Sequence, residues 1–268
     1  MGAPLPINYL LHSTIYIPPH AVHRVPPSPG RPPRPPWYSP APLPAPTLVG
    51  MIATQTEVIE LARITIRRIS VSEMDNNVYL LTSKSEGTQV LIDAADDARA
   101  IAGMVAAGSG DCSDWGNLQL IITTHSHWDH VRALENVATH SEAMTACGAA
   151  DENDIAVPMD LTFDNGDTAE LDGLELEIVE LRGHTPGSIA VVYRDPDGPA
   201  HIFTGDSLFP GGLGKTSSPA DFRQLFQDVT ERLFDRFDDD TVIHPGHGAP
   251  TTLGAERPHL QEWEERGW

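Results

Sequence analysis

Thr123-Thr124-His125-Ser126-His127-Trp128-Asp129-His130 packs four metal-ligand side chains into six positions at the end of an apolar run. Imidazole and carboxylate are the donors that zinc and similar divalent ions favour. Three histidines this close gain nothing in a hydrophobic core, where each polar nitrogen needs a partner. The run Leu118-Gln-Leu-Ile-Ile122 before them reads as a buried strand, and Val131-Arg-Ala-Leu-Glu-Asn-Val137 after them as a short helix. The ligands therefore sit on the loop leaving the carboxyl end of a strand, where α/β sheets place their ligand sites.

A His-rich surface loop is the competing reading of this octet alone, and three later segments count against it. Gly183-His184-Thr185-Pro186-Gly187-Ser188 follows the strand-like Leu174-Glu-Leu-Glu-Ile-Val-Glu-Leu181. Phe203-Thr204-Gly205-Asp206-Ser207 follows Ala200-His-Ile, and His244-Pro245-Gly246-His247-Gly248 follows Thr241-Val-Ile243. Each is a strand running into a Gly- or Pro-rich turn that carries one His or Asp. Any one alone is weak. Together they predict four loops converging on one edge of a sheet.

This ordered set resembles the metallo-β-lactamase-fold hydrolase superfamily, and within it the glyoxalase II-like branch. The resemblance covers about residues 60–255, including Met74-Asp-Asn-Asn-Val-Tyr-Leu-Leu81 and Val90-Leu-Ile-Asp93-Ala. It implies an α/β fold, a four-layer αββα sandwich, with a dinuclear centre at one edge of the paired sheets. Carried over by motif, His125, His127 and His184 would hold one metal ion. Asp129, His130 and His247 would hold the second, and Asp206 would bridge the two. The expected cofactors are two divalent ions, zinc first, with iron or manganese as alternatives. Two such ions can share a water, lower its pKa toward neutrality and present a hydroxide to an ester or thioester carbonyl. Asp129 would then double as a catalytic residue, orienting that nucleophile or taking its proton. A thiolate leaves with a pKa of roughly 8.5 and needs little acid help, which favours thioesters over amides.

The resemblance also narrows the substrate. True β-lactamases lack the bridging carboxylate, and neither Cys112 nor Cys147 falls in any of the four loops. Gly214-Lys215-Thr216 imitates the end of a P-loop, but the required earlier glycine is Phe209. In glyoxalase II a Lys or Arg at the position of Lys215 contacts glutathione, so Lys215 is the candidate substrate-binding residue. The tyrosines of the glutathione site are replaced by Ser217 and Ala249, and only 21 residues follow His247. The hydrolytic chemistry is expected to be kept and the thiol carrier to differ. Two further readings stay open: a persulfide dioxygenase-like enzyme with one iron on the residues matching His125, His184 and Asp206, and a lactonase. The signal-lactone lactonases have a tyrosine where this chain has Phe209. His201 and His244 lie near ligand positions but match none, and are expected either to support the ligands from behind or to be structural.

Composition sets the remaining bounds. The 268 residues suffice for one α/β domain with its own core. Residues 1–50 hold 15 of the 24 prolines, three arginines and no acidic residue. Such a segment buries too little apolar surface to offset its ordering entropy. It is expected to be an unstructured extension, or the product of a start placed too far upstream, with the catalytic domain over residues 51–268. That domain carries a formal charge of −24, which repels nucleic-acid backbones and anionic lipid headgroups. The expected partner is a small-molecule substrate, with neither nucleic acid nor membrane. Two cysteines 35 residues apart give no disulfide framework, which suits a cytoplasmic enzyme. Further strands are expected at residues 63–69, 78–81, 89–92 and 188–193, and helices at 95–107, 221–237 and 255–265.

Overall fold

The computed structural model describes residues 13–17, 56–113 and 115–267. One sheet holds, in spatial order, β1 (Thr14–Tyr16), β9 (Thr168–Leu171), β10 (Leu174–Glu180), β11 (Ile189–Arg194), β12 (Ala200–Gly205), β15 (Val242–Pro245) and β16 (Thr251–Thr252). The other holds β2 (Glu57–Glu60), β3 (Ile64–Val71), β4 (Asn76–Ser83), β5 (Thr88–Ile92), β6 (Asn117–Thr123), β7 (Met144–Gly148) and β8 (Leu161–Phe163). β13 (Leu208–Phe209) and β14 (Gly212–Leu213) pair as a small hairpin.

The two sheets bury Ile66, Leu81, Ile92 and Leu120 against Leu176, Ile178, Val191 and Phe203. On the outer face of the β2–β8 sheet lie helices α1 (Ala98–Gly108) and α2 (Leu134–Ser141), with Ile101, Met104, Leu134 and Val137 packed on Leu80, Leu91 and Ile121. On the outer face of the other sheet, α3 (Pro219–Val229) and α5 (Leu260–Arg266), with the short α4 (Leu253–Glu256) before it, bring Leu225, Val229 and Trp263 onto Val179, Val192 and Ile202. The layers run helix, sheet, sheet, helix, the expected αββα sandwich. Covered on both faces, β4 and β5 are buried along their whole length, with apolar runs at residues 78–81 and 90–92. Ser218 caps α3 by accepting from the Asp221 N–H, Pro219 supplies a preset φ in the first turn, and the stripe Phe222, Leu225, Val229 faces the core.

Three expectations change. The segment 1–50 is not wholly outside the fold: β1 pairs in parallel with β9, and Ile17 is 2% exposed in the core between the sheets. Ser13 N–H donates to Asp167 Oδ1 at 2.9 Å, and Ile17 N–H to the Glu170 carbonyl at 2.8 Å. The rest of residues 1–50 lies outside the described residues. The helix expected over 221–237 stops as α-helix at Val229 and continues as a π turn over Thr230–Phe234. The helix expected over 255–265 is split into α4, a short turn containing Pro258, and α5. A chain beginning at Met51 is therefore expected to lose about 2 kcal/mol, the worth of one buried isoleucine. Urea unfolding reads this as a lower midpoint, and an unchanged midpoint would show that β1 adds nothing. Among the described residues no helix is long and apolar enough to cross a membrane.

Candidate metal centre

Four strands deliver the candidate residues to one edge. β6 ends at Thr123, just before His125; β10 runs out into the turn of His184; β12 ends at Gly205, beside Asp206; β15 ends at Pro245, two residues before His247. β12 and β15 are parallel neighbours, and the Gly246 N–H donates to the Gly205 carbonyl at 2.8 Å. That pairing sets the His247 loop against Asp206. The sheets are also stitched together here: Ile189 N–H donates to the Thr124 carbonyl at 2.9 Å, and Asn77 N–H to the Gly246 carbonyl at 2.8 Å. Space is tight enough to require glycine. A Cβ on Gly246 would stand 2.2 Å from Asp206 Oδ1 and 2.8 Å from His130 Cε1.

All seven residues singled out in the sequence meet. His125, His127 and His184 form one group, His125, His130 and Asp206 a second, and Asp129, His130 and His247 a third. Within each group the donor atoms lie within 4.8 Å of one another. Asp206 sits among them, with Oδ1 3.4 Å from His130 Nε2 and Oδ2 3.4 Å from His247 Nε2 and 3.6 Å from His184 Nε2.

Four of the five imidazoles are held by their other nitrogen. His130 Nδ1 is 2.9 Å from Asp93 Oδ2, His184 Nδ1 2.6 Å from the Lys215 carbonyl, and His247 Nδ1 2.7 Å from the Met74 carbonyl. Thr124 gives its hydroxyl proton to Asp93 at 2.8 Å, leaving a lone pair for His125 Nδ1–H at 3.1 Å. Each acceptor draws the proton onto Nδ1 and turns Nε2 inward as a lone pair, as outer partners of metal-binding histidines do. His125 Nε2, His184 Nε2 and Asp206 Oδ1 are buried without a hydrogen-bond partner. Buried polar atoms left bare in this way carry a cost of about 1–3 kcal/mol each that a bound cation would remove. The donor set fits divalent ions.

The electrostatics agree. Burial, reinforced by His130, holds His125 well below the ordinary imidazole value, and burial also lowers His184. Burial works against charge on His130, yet Asp93 and Asp206 outweigh it and raise its pKa to about 10. Burial likewise opposes the Asp206 carboxylate, but His130 and His247 beside it hold it far below the usual carboxylate range. Burial at His247 is outweighed by Asp206, which raises its pKa, so the acidic groups here favour positive charge of the kind a bound cation would supply.

Several supporting residues carried no assigned role in the sequence reading. Asp93, in the left-handed region at φ 57°, joins Thr124 and His130. Asn76 Nδ2 donates to Asp129 Oδ2 at 2.9 Å. Asp151, fully buried, accepts from Ser126 N–H at 2.7 Å, Thr185 Oγ1 at 2.6 Å and Gly187 N–H at 2.6 Å, and so ties the His125–His127 loop to the His184 loop. Lys215 adjoins the site through its carbonyl, and its residue surface is exposed. His201 and His244 stay outside: they hydrogen-bond to each other at 3.0 Å, and His244 stacks on Phe203 in the core. Burial, with His201 beside it, lowers His244 to about 3, so it stays neutral.

Residues 71–247 match the family described as Metallo-beta-lactamase superfamily. The hydroxyacylglutathione hydrolase GloC of Haemophilus influenzae is 31% identical over 161 residues, 53% of this chain and 74% of the relative. A hydroxyacylglutathione hydrolase of Ruegeria pomeroyi is 30% identical over 179 residues, 65% of this chain and 62% of the relative. Among solved structures, ETHE1 from Myxococcus xanthus superposes with a TM-score of 0.62 at 24% identity, over 73% of this chain and 82% of the other. TTHA1623 in a di-iron-bound form gives a TM-score of 0.58 at 28% identity, over 71% of this chain and 96% of the other.

Proposed function

The chain belongs to the metallo-beta-lactamase superfamily, and within it we propose a metal-dependent hydrolase that cleaves a small acyl-thioester or ester, similar to glyoxalase II. The observation that carries this reading is the set of three overlapping donor groups, with Asp206 among them and bare nitrogens turned inward. His125, His127 and His184 would hold one ion, Asp129, His130 and His247 the other, and Asp206 both. Nitrogen and carboxylate donors suit zinc, and the di-iron form of the 28% identical relative makes iron the alternative. Ions held there would act as Lewis acids and bring the pKa of a water toward neutrality.

The chain's own groups do the rest. Asp129, oriented by Asn76, takes the proton of the attacking water. The water oxygen bonds to the acyl carbon, the carbon–sulfur bond breaks, and the sulfur leaves as thiolate with a pKa of roughly 8.5, unaided by an acid. Lys215 is the proposed contact for an anionic group on the substrate. Ser217 and Ala249 supply no phenol for glutathione, so another small thiol is the proposed carrier.

Elemental analysis of protein purified without added metal, paired with a thioester panel, tests this. Two divalent ions per chain are expected, with simple acyl-thioesters hydrolysed at a higher kcat/KM than S-lactoylglutathione. A single iron per chain, with oxygen consumed on a persulfide, would replace the hydrolase by a dioxygenase. Preference for the glutathione thioester would overturn the choice of carrier.

A further inference from the structure

The mouth of the site is two-sided. Lys215 marks the flank of His184, whereas apolar side chains gather on the flank of His247 and Asp129. Trp128 opens the short turn whose next two residues are Asp129 and His130. It is 63% exposed and Met74 is 45% exposed, both among the few large apolar side chains that stand out into solvent in the described residues. The two are linked. The Arg132 guanidinium lies 4.1 Å from the centre of the Trp128 ring, and its Nη2 is 3.7 Å from Met74 Sδ. The Met74 carbonyl accepts from His247 Nδ1, and the Phe209 ring stands 6.4 Å from the His247 ring on that flank.

Neither exposed side chain is explained by packing, since neither joins a core cluster. Arg132 is no free anion receptor either, because Asp96 Oδ2 neutralises it at 2.6 Å. Pinned by Asp96, the guanidinium backs one face of the indole and stiffens it, a cation–π contact that costs the ring none of its remaining open surface. A rigid, solvent-facing apolar group beside a polar reactive centre is the composition of a ligand site, with apolar walls and a few convergent polar atoms.

We propose that Trp128, Met74 and Phe209 form an acyl subsite that selects substrates carrying an extended alkyl or aryl acyl group over acetyl or other short acyl groups. This rests on the thioester reading for the bond that is cleaved, and on geometry alone for the apolar contact. A chain of several carbons would lie against the open face of the indole while its carbonyl reaches the donor cluster beside Asp129.

Binding and turnover separate the two claims. The full chain, metal-loaded, is titrated calorimetrically with 2-oxoalkyl thioethers of N-acetylcysteamine, in which a methylene between sulfur and carbonyl prevents hydrolysis. The 2-oxoheptyl compound is expected to bind about tenfold more tightly than the 2-oxopropyl compound, the discrimination that a few buried methylenes give. Trp128→Ala should collapse that ratio and Trp128→Phe keep most of it. Trp115→Ala, which removes a 90% exposed indole at the far end of β6, should leave the ratio unchanged. Hexanoyl and acetyl thioesters of N-acetylcysteamine should show the same pattern in KM. No chain-length preference in the native protein, or one that survives Trp128→Ala, overturns the subsite. So does a Trp128→Ala protein that loses metal, because Trp128 would then be holding the loop. A Trp128-dependent preference among the thioethers, with no thioester turned over, keeps the subsite and removes the hydrolase reading.

Discussion

Asp206→Ala is expected to leave a folded chain that holds at most one divalent ion and hydrolyses its thioester more than about a hundredfold slower, beyond the range that supporting residues around a metal ligand produce. The reason is position. Its two oxygens approach His184 from one half of the cluster and His130 and His247 from the other at 3.4–3.6 Å, so it is placed to join them. Two divalent cations held close together by neutral imidazoles would repel each other unless an anion between them offsets the charge, and Asp206 supplies that anion. Asp206→Asn keeps the shape and removes the charge, so it should fall between the native protein and alanine in metal content. Elemental analysis and kcat/KM, with circular dichroism to confirm folding, check the result. Two ions per chain and full turnover in Asp206→Ala would remove this residue from the site.

The candidate donors were legible because each lies within a few residues of an apolar strand end. The strand run names the edge, and the Gly- or Pro-rich turn names the loop, so seven side chains scattered over residues 125–247 reduce to four local patterns. What holds those donors was not legible in the same way. The Met74 and Lys215 carbonyls that fix His247 and His184 are backbone atoms, which any residue at those positions would present. Asp93 and Asn76 stood in stretches that carry the family resemblance, but the contact each makes spans 37 or 53 residues of chain and leaves no periodic trace.

The fold divides along similar lines. β4, β5 and β6 announce themselves through apolar runs because neighbours cover them, and β10 through its alternation of Leu and Glu. β1 does not: it is three residues long with an exposed–intermediate–exposed pattern, and its contribution to the core is Ile17, just past its end. Proline-rich composition around it outweighed one buried side chain. β8 and β9 are also short, at three and four residues, and their core contributions are Phe163, Ala169 and Leu171. In α3 the apolar stripe continues past Val229 through Leu233 and Phe237, yet the Asp235 N–H bonds to the Thr230 carbonyl, a wider turn. The spacing of a stripe is too coarse to show that shift of one residue in the hydrogen-bond ladder.

Asp151→Ala is expected to destabilise the chain by about 3 kcal/mol or more, because it removes the shared acceptor of three donors and leaves the Ser126 and Gly187 N–H groups without it. Oδ2 serves both Ser126 N–H and Thr185 Oγ1, and Oδ1 serves Gly187 N–H. Ser126 lies between His125 and His127, and Thr185 follows His184, so one carboxylate clamps the two loops that carry a whole donor group. The clamp is close-packed as well: a Cβ on Gly187 would stand 2.4 Å from the Asp151 nitrogen. Loosening it should lower metal affinity along with stability, whereas a purely structural residue far from the site would lower stability alone. Asp151→Asn separates the contributions further. Its carbonyl oxygen can keep the Ser126 and Thr185 bonds, but its amide then faces the Gly187 N–H, donor against donor, so it should lie between the native protein and alanine. Urea unfolding with and without added zinc gives both quantities from one set of curves. A variant whose urea midpoint drops while the zinc-induced shift of that midpoint stays at the native size would show that Asp151 supports the fold without positioning the donors.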